Sequence, residues 1–450
     1  MKSTAEMLQN FRKCLFWSLD VLRGSKVKAH YRDIQNIIEN FSSVESRNRR
    51  AESLRKLLNH AVNTTPFYRQ FAEFGSIEDF PVINKNSIRD QYDNFGSSVI
   101  KDETNYQVYT SGSTGTPFRV FHDKNKRDRH SADVTYFNRK AGFEIGNKLY
   151  YIRHWDRYNT SKPWMVWRKN VHMHPVSRLS PKDIEHLLGA MSEDRSPKGI
   201  LCYASALDEI KRFLESTDKA PHIKGIKSII AMSETLNQHT RKSIEEFWGV
   251  PVVSRYSNVE NGILAQQSFG GTEFYINWAS YFVEILEMDT DKPAKPGDRG
   301  RIVITDLYNY CMPMIRYDTG DIGQMGQYTE NGIEYPVLNR VEGRKMDMVF
   351  DTEGKMLSPY VVYHILKYPH IEQYQFIQER EKMYLIKLNV SPEFHSGEAI
   401  KMEFKIHLGS DAEIQLEFVD DIPLLSSGKR KFVINKLHGG MGQELSRSQA

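Results

Sequence analysis

Between residues 109 and 117 the chain reads Tyr109-Thr110-Ser111-Gly112-Ser113-Thr114-Gly115-Thr116-Pro117. Two glycines let the backbone turn tightly and come close to a ligand. Hydroxyls set beside unpaired backbone N–H groups form an anion cradle suited to phosphate oxygens. No Gly-Lys-Ser/Thr follows at the required spacing, so this is not a Walker P-loop. The same composition also suits an ordinary surface loop, and the residues around it must separate the two readings.

From about 105 to 340, short apolar runs such as Leu149–Ile152, Ile226–Ala231 and Val250–Val253 alternate with helical stretches such as Asp183–Met191 and Thr240–Phe247. That alternation predicts α/β layers with largely buried strands. Phe282–Glu287 and Arg301–Thr305 read as two strands joined by the polar stretch Thr290–Gly300. Upstream, residues 31–75 read as helical, with Ile34, Ile37, Ile38 and Phe41, then Leu54, Leu57, Leu58 and Ala61, until Pro66 ends the run. Phe80-Pro81-Val82-Ile83 reads as a short buried segment before a capped helix beginning near Asn84 or Asn86. After Gly343-Arg344 the pattern changes: Ser358–Tyr368 and Gly397–Leu408 read as helices, and Gln373–Gln378, Met383–Val390 and Glu413–Val419 as strands. The fold class is therefore α/β: a large N-terminal α/β domain of layered sheets and helices over residues 1–342, and a small α+β domain over 343–436. Residues 437–450 are expected to be a loose tail.

Composition excludes several classes. The 61 Lys and Arg are nearly matched by 57 Asp and Glu over 450 residues, which gives no argument for a nucleic-acid partner. Cys14, Cys202 and Cys311 form no C-x-x-C pair and supply no Cys-rich zinc site, so a reducing, cytoplasmic location is the simple reading. No window reaches ~18 uninterrupted apolar residues. Leu8, Phe11, Leu15, Phe16, Leu19 and Leu22 recur at helical spacing beside Lys2, Arg12, Lys13, Arg23 and Lys26. This stripe either packs on the protein's own body, the commoner use, or gives weak peripheral membrane contact.

Four further stretches follow the hydroxyl-rich loop in order: Ala231-Met232-Ser233-Glu234, Arg255-Tyr256-Ser257-Asn258-Val259-Glu260, Arg316-Tyr317-Asp318-Thr319-Gly320-Asp321, and Gly343-Arg344 leading on to Pro423 and Ser427-Gly428-Lys429. In this order and spacing the set resembles the adenylate-forming superfamily of acyl-CoA synthetases, peptide-synthetase adenylation domains and luciferases, from about residue 50 to 436. Leu57-Leu58-Asn59-His60-Ala61, Thr65-Pro66-Phe67-Tyr68-Arg69 and Phe80-Pro81-Val82-Ile83-Asn84-Lys85 resemble the short opening of the phenylacetate-CoA ligase, CapK-type capsule-biosynthesis and CoF synthetase-like branch.

The resemblance implies ATP and Mg²⁺ as cofactors, a small-molecule carboxylic acid as substrate, and CoA or a carrier-protein phosphopantetheine as acceptor. Thr110, Ser111, Gly112, Ser113, Thr114 and Gly115 would then meet the triphosphate, and Ser233 and Glu234 would border the adenine, with Tyr256 and Asn258 beside the nucleotide. Glu260 is the expected Mg²⁺ ligand, because a hard cation takes a carboxylate oxygen. Asp321 has the acceptor chemistry for the ribose hydroxyls, or is a turn-forming Asp; Arg344 adds a ribose contact or pairs with a surface carboxylate. Lys429 is the expected catalytic lysine, a flexible ammonium able to bridge the substrate carboxylate and the α-phosphate. The resemblance also implies a mobile C-terminal domain that brings Lys429 in for the first half-reaction only.

Val259 stands where a hydroxyl residue usually precedes the glutamate, and Met346 where Asp or Lys is usual at the hinge. After the hinge, Val349–Lys355 carries Asp351, Glu353 and a Gly354 at an unusual distance, in the region that CoA-binding members of the superfamily rely on, which puts CoA as the acceptor in doubt and leaves a carrier-protein phosphopantetheine or an amine open. His154, Trp155, Tyr203 and Ala204 fall where the superfamily often places substrate-facing groups, although aromatic residues beside strands are most often core. The leading expectation is activation of an acid to acyl-AMP and acyl transfer to a thiol. AMP transfer to a non-acid substrate and a non-catalytic nucleotide-binding relative are the alternatives. A place in surface-polysaccharide biosynthesis is fold-level analogy.

Overall fold

The computed structural model describes residues 4–100, 105–110, 118–155, 160, 162–217, 221–330, 332–344, 348–357, 361, 362, 365, 368–423 and 431–437. The chain divides into two compact units, residues 1–319 with 323–341 and residues 320–322 with 342–450.

The first unit opens with helices α1 (Thr4–Leu22) and α2 (Lys26–Glu39). The buried carboxylate of Asp20 joins them by accepting the Val27 and Lys28 backbone N–H groups at 3.0 and 2.9 Å. The helical run expected across 31–75 is interrupted, since α3 (Val44–Thr64) starts afresh at Ser43, whose hydroxyl accepts the Ser46 N–H. It stops where expected. Thr65 is extended (φ −108, ψ 116) because the ring of Pro66 disfavours helical geometry before it. A 3₁₀ turn over Pro66–Phe71 follows, and then α4 (Lys85–Asp90), capped by Asn84 as read from sequence.

Strands β1 (Tyr106–Thr110) and β2 (Phe118–His122) pair antiparallel on either side of residues 111–117. Asp123 then caps α5 (Lys124–Lys140). Next come β3 (Lys148–Arg153), α6 (Pro163–Lys169), β4 (Val171–Pro175), α7 (Pro181–Glu193), β5 (Lys198–Tyr203), α8 (Ala204–Ser216), β6 (Ile226–Met232), α9 (Gln238–Trp248) and β7 (Val252–Asn258). Strands β4, β3, β5, β6 and β7 are neighbours in that order and parallel. Parallel strands need crossovers, and helices covering them leave the strands buried and apolar throughout. Ile200, Ile229, Ile230 and Val253 accordingly pack with Ile184, Leu188, Leu207, Ile210 and Ile244 of the helices.

The same sheet continues through β8 (Gly262–Gln267), β9 (Phe274–Ile276), β10 (Tyr281–Leu286), β11 (Arg299–Asp306), β12 (Tyr317–Glu330) and β13 (Ile333–Arg344). Its order among the described residues is β10-β11-β12-β13-β9-β8-β7-β6-β5-β3-β4. The β7–β8 and β10–β11 pairs are antiparallel; β10 matches its expected strand shifted back by one residue, and β11 extends beyond the expected Arg301–Thr305 at both ends.

The second unit contains β14 (Val349–Phe350), β15 (Met356–Leu357), β16 (Ile371–Arg380), β17 (Met383–Val390), α10 (Gly397–Leu408), β18 (Glu413–Phe418) and β19 (Val433–Asn435). A four-stranded sheet ordered β18-β17-β16-β19 packs Phe376, Tyr384, Ile386 and Leu388 against Ile400, Phe404 and Leu408. Most of the expected helix Ser358–Tyr368 and nearly all of the expected tail lie outside the described residues.

Helix α5 buries charge as well as apolar surface. The Lys126 ammonium lies 2.5 Å from Asp306, at the end of β11, and both side chains are fully buried. Lys126 also donates to the Tyr281 hydroxyl at 3.1 Å. One turn on, Arg129 pairs with Asp33 of α2 at 2.6 Å and donates to Ser280 Oγ at 2.8 Å. Asp133 accepts from Ser280 Oγ at 2.7 Å and from Asn277 Nδ2 at 2.9 Å. Removing one member of a buried pair strands the other charge, which costs more than the pair gains. Lys126→Ala is therefore expected to lower unfolding free energy by about 3–5 kcal/mol in denaturant titration, whereas Lys126→Met with Asp306→Leu recovers most of that loss.

Candidate active site

The parallel strands bring four of the sequence-predicted segments to one edge of the sheet. Within the register Tyr203 lies opposite Met232, and Met232 opposite Arg255. His154-Trp155 follows β3, Tyr203-Ala204 ends β5 and opens α8, Ser233-Glu234 follows β6, and Asn258 ends β7. All four sit at carboxyl ends of parallel strands, where open α/β sheets bind their ligands.

The local geometry at that edge is specific. Ser233 adopts φ +73, a left-handed conformation uncommon for a residue with a side chain. Glu234 Oε2 accepts the Ser205 N–H at 2.9 Å, so the residue after β6 satisfies a free donor in the first turn of α8. Trp155 Nε1 donates to the His174 carbonyl at 3.1 Å, and its ring meets Tyr151 edge-on at 5.1 Å. Tyr203 and Ala204 are buried, and burial pushes the Tyr203 hydroxyl pKa up.

Glu260 occupies the three-residue turn between β7 and β8, where Asn258 pairs with Gly262. Gly262 has φ +115, and a Cβ there would come within 2.7 Å of His130 Nδ1, so only glycine fits. The Glu260 side chain is almost fully buried. Its Oε1 accepts the Tyr317 hydroxyl at 2.9 Å and lies 2.9 Å from the Lys85 ammonium. Oε2 has no hydrogen-bond partner among the described residues. Asn258 Oδ1 accepts the Asn261 N–H at 2.8 Å, which closes the turn. The Asn258 Nδ2 and both side-chain polar atoms of Asn261 are buried without partners among the described residues. Buried amides are normally satisfied, so these three atoms are positioned to take partners beyond the described residues.

Within the Arg316–Asp321 stretch, Tyr317 and Thr319 reach the same place. Tyr317 reaches Glu260, and Thr319 Oγ1 accepts the Tyr256 hydroxyl at 3.1 Å while donating to the Ile302 carbonyl at 2.9 Å. Arg316, at φ +49 and buried, pairs with Glu284 at 3.0 Å and donates to the Phe80 carbonyl at 3.0 Å. A parallel bridge between Ile83 and Tyr317 ties the segment before α4 to the stretch, and so places Lys85 beside Glu260. Asp318 pairs with Arg301 at 2.8 Å. Asp321 lies further along β12 and is half-buried. Ser111, Gly112, Ser113, Thr114, Gly115, Lys429 and the side chains of Thr110 and Arg344 lie outside the described residues.

Sequence reading assigned no role to Lys85, Tyr317, His122 or Asn261. Lys85 and Tyr317 stood inside quoted motifs; His122 and Asn261 carried no signal, because only the folded turn gives them neighbours. His122, the last residue of β2, has Nε2 2.7 Å from the Glu260 carbonyl oxygen. A carbonyl only accepts, so Nε2 carries the proton. Burial above all, then the charge of Lys126, lowers the His122 pKa to about 4.

With a folded pKa below the unfolded value, His122 favours the native state at neutral pH and loses that contribution as pH falls from about 6.5 to about 4. His30, also lowered to about 4, adds to the same window. His122→Gln removes one titrating group and is expected to flatten the stability–pH curve there by up to about 3 kcal/mol, read from urea midpoints at several pH values.

Comparison with known proteins agrees with the geometry. Residues 349–436 match the family model described as the CapK C-terminal domain. The phenylacetate-coenzyme A ligase of Pseudomonas putida is 25% identical over 413 residues, spanning 87% of this chain and 86% of that protein. Protein CapK of Staphylococcus aureus is 22% identical over 440 residues, spanning 91% and 93%. Among solved structures, 2-hydroxyisobutyryl-CoA ligase in the postadenylation state with 2-HIB-AMP superposes with a TM-score of 0.69 at 18% identity, covering 87% of this chain and 90% of that one. The chain thus has homologues among phenylacetate-CoA ligases and Protein CapK, shares the fold of acyl-CoA ligases, and carries a CapK-type C-terminal domain.

Proposed function

We propose that this chain is an ATP-dependent acid–thiol ligase that forms an acyl-AMP and then transfers the acyl group to CoA. The buried Glu260 turn carries the reading, with its carboxylate held by Tyr317 and Lys85 and its unsatisfied Asn258 and Asn261 amides, at the carboxyl edge of the parallel strands. The likeness to named CoA ligases supports it.

In the first step a carboxylate oxygen of the acid attacks the α-phosphorus of ATP, the bond to the bridging oxygen breaks, and pyrophosphate leaves. Negative charge builds on the phosphates, so fixed donors and cations must converge there. Thr110, Ser111, Gly112, Ser113, Thr114 and Gly115 would supply the donors, and Lys85 places an ammonium beside Glu260. Glu260 Oε2 is the oxygen available to Mg²⁺, which when bound neutralises phosphate oxygens. Ser233, Glu234, Tyr256 and Asn258 flank the base and sugar, and Asp321 and Arg344 take the ribose. Lys429, brought in by a mobile domain of residues 343–436, bridges carboxylate and α-phosphate. His154, Trp155, Tyr203 and Ala204 line the acid's pocket. In the second step the thiol sulfur attacks the acyl carbon, its proton passes to solvent, and AMP leaves. We place the enzyme in the cytoplasm, where its three free cysteines would stay reduced, and in surface-polysaccharide biosynthesis on the strength of its CapK likeness.

Carboxylate-dependent ATP–pyrophosphate exchange over aromatic, fatty, hydroxy and amino acids tests the first step. One acid class is expected to stimulate exchange, and absence of stimulation by every class while ATP binds would favour AMP transfer to a non-acid substrate. Glu260→Gln is expected to lower the exchange rate about a hundredfold and to weaken Mg²⁺·ATP use more than AMP binding. Lys429→Ala should cut exchange by more than about a hundredfold while leaving thioester formation from pre-made acyl-AMP within about threefold. Equal loss of both steps would remove Lys429 from its assigned role.

A further inference from the structure

Helix α1 is seated on the protein through one face only. Gln9 Nε2 donates to Asn147 Oδ1 at 2.5 Å, Lys13 pairs with Glu144 at 3.0 Å, and the Trp17 ring meets Tyr31 edge-on at 6.2 Å. The Gln9 carbonyl comes so close to Gly146 that a Cβ there would sit 2.4 Å away, so this docking is tight. The opposite face points to solvent and is apolar. Met7, Phe11, Cys14, Val21 and Leu22 recur at i, i+4, i+7, i+14 and i+15, with Ser18 between them, and all are exposed, Phe11 at 55% and Leu22 at 81%. A helix of a water-facing protein normally turns such a stripe inward.

Helix α6 extends this surface. Trp164 and Trp167 are 58% and 57% exposed, and the Arg12 guanidinium of α1 lies 5.7 Å from the centre of the Trp167 ring. Arg168 sits over Trp164 at 5.2 Å. From residue 160 to 175 the sequence holds Lys162, Arg168 and Lys169 and no Asp or Glu. Lys162, Arg168 and Lys169 have no carboxylate within ion-pair distance among the described residues. Lys169 is close enough to Arg168 and Arg127 to feel both charges. Like charges gathered without acids repel each other in water and are relieved by an anionic surface.

We infer that the outward face of α1, together with Trp164 and Trp167 of α6 and the basic residues around them, docks on an anionic phospholipid bilayer. The apolar side chains enter the boundary between headgroups and acyl chains, the tryptophans sit at headgroup level, and the lysines and arginines meet lipid phosphates. A second copy of the chain fits less well, because a two-fold contact would set this basic surface against itself. The contact is peripheral and reversible, and no helix among the described residues is long and apolar enough to cross a membrane.

Co-sedimentation of the full chain with vesicles of phosphatidylcholine, alone or with about 30 mol% phosphatidylglycerol, tests the inference. Partition is expected to rise at least about tenfold with the anionic lipid and to fall back in about 0.5 M NaCl. Phe11→Glu, Leu22→Glu and the double substitution Trp164→Ala/Trp167→Ala should each reduce it at least about fivefold with unchanged thermal melting, since the altered side chains are exposed. Failure to pellet with either vesicle, or pelleting indifferent to all three variants, would overturn the proposal. So would a concentration-dependent dimer in light scattering that Leu22→Glu abolishes, which would assign the face to a second copy.

Discussion

The site rests on a buried ion pair. Lys126 and Asp306 are shielded from water, and the Lys126 ammonium also holds the Tyr281 hydroxyl, which in turn donates to the Asn261 carbonyl. The turn that presents Glu260 is thus anchored from below by a charge that must be satisfied in place. A buried ammonium has few acceptors to choose from, so it imposes its geometry on whatever it binds. His122 holds the Glu260 carbonyl from one side and Tyr317 holds its carboxylate from another. Each of these groups belongs to a different element, and a shift in any of them is felt at the carboxylate.

Glu260 lies where the sheet changes character. Strands β6 and β7 run parallel, and β7 and β8 run antiparallel. A parallel partner requires a crossover, so the chain leaves β6 through a long excursion containing α9, whereas β7 returns at once through a three-residue turn. Short turns hold side chains more firmly than long loops, which suits a residue that must stay still. Ser233 and Arg316, both left-handed without being glycine, flank the same region. Such conformations persist only where surrounding contacts over-determine them, as the Glu284 pair and the Phe80 carbonyl do for Arg316.

The outer surface follows a different logic. Helix α1 docks through polar and aromatic contacts and leaves Met7, Leu8, Phe11, Val21 and Leu22 exposed. The proposed docking face thus combines exposed apolar side chains of α1 with Trp164, Trp167 and the basic residues of α6.

Periodicity and turn chemistry by themselves determined most of the layered architecture. The buried runs Leu149–Ile152 and Ile226–Ala231, the cap at Asn84 and the stop at Pro66 all follow from local burial, capping and proline geometry, which are legible in a one-dimensional pattern. Motif order located Glu260, Tyr256 and the Arg316–Asp321 stretch. Only the tertiary structure decided that Lys126, Arg129 and Asp133 are buried. In sequence they look like the solvated face of a helix, because a charge reads as exposed until its partner, 180 residues away in the case of Asp306, is known. The split of the α1 stripe was equally hidden: Leu15, Phe16 and Leu19 are half-buried while Leu8, Phe11 and Leu22 are exposed, and helical spacing shows that a face is apolar but not which way it points. Lys85 and His122 became part of the site for the same reason: their partners are distant in the chain, and contact between distant residues is a property of the packed fold alone.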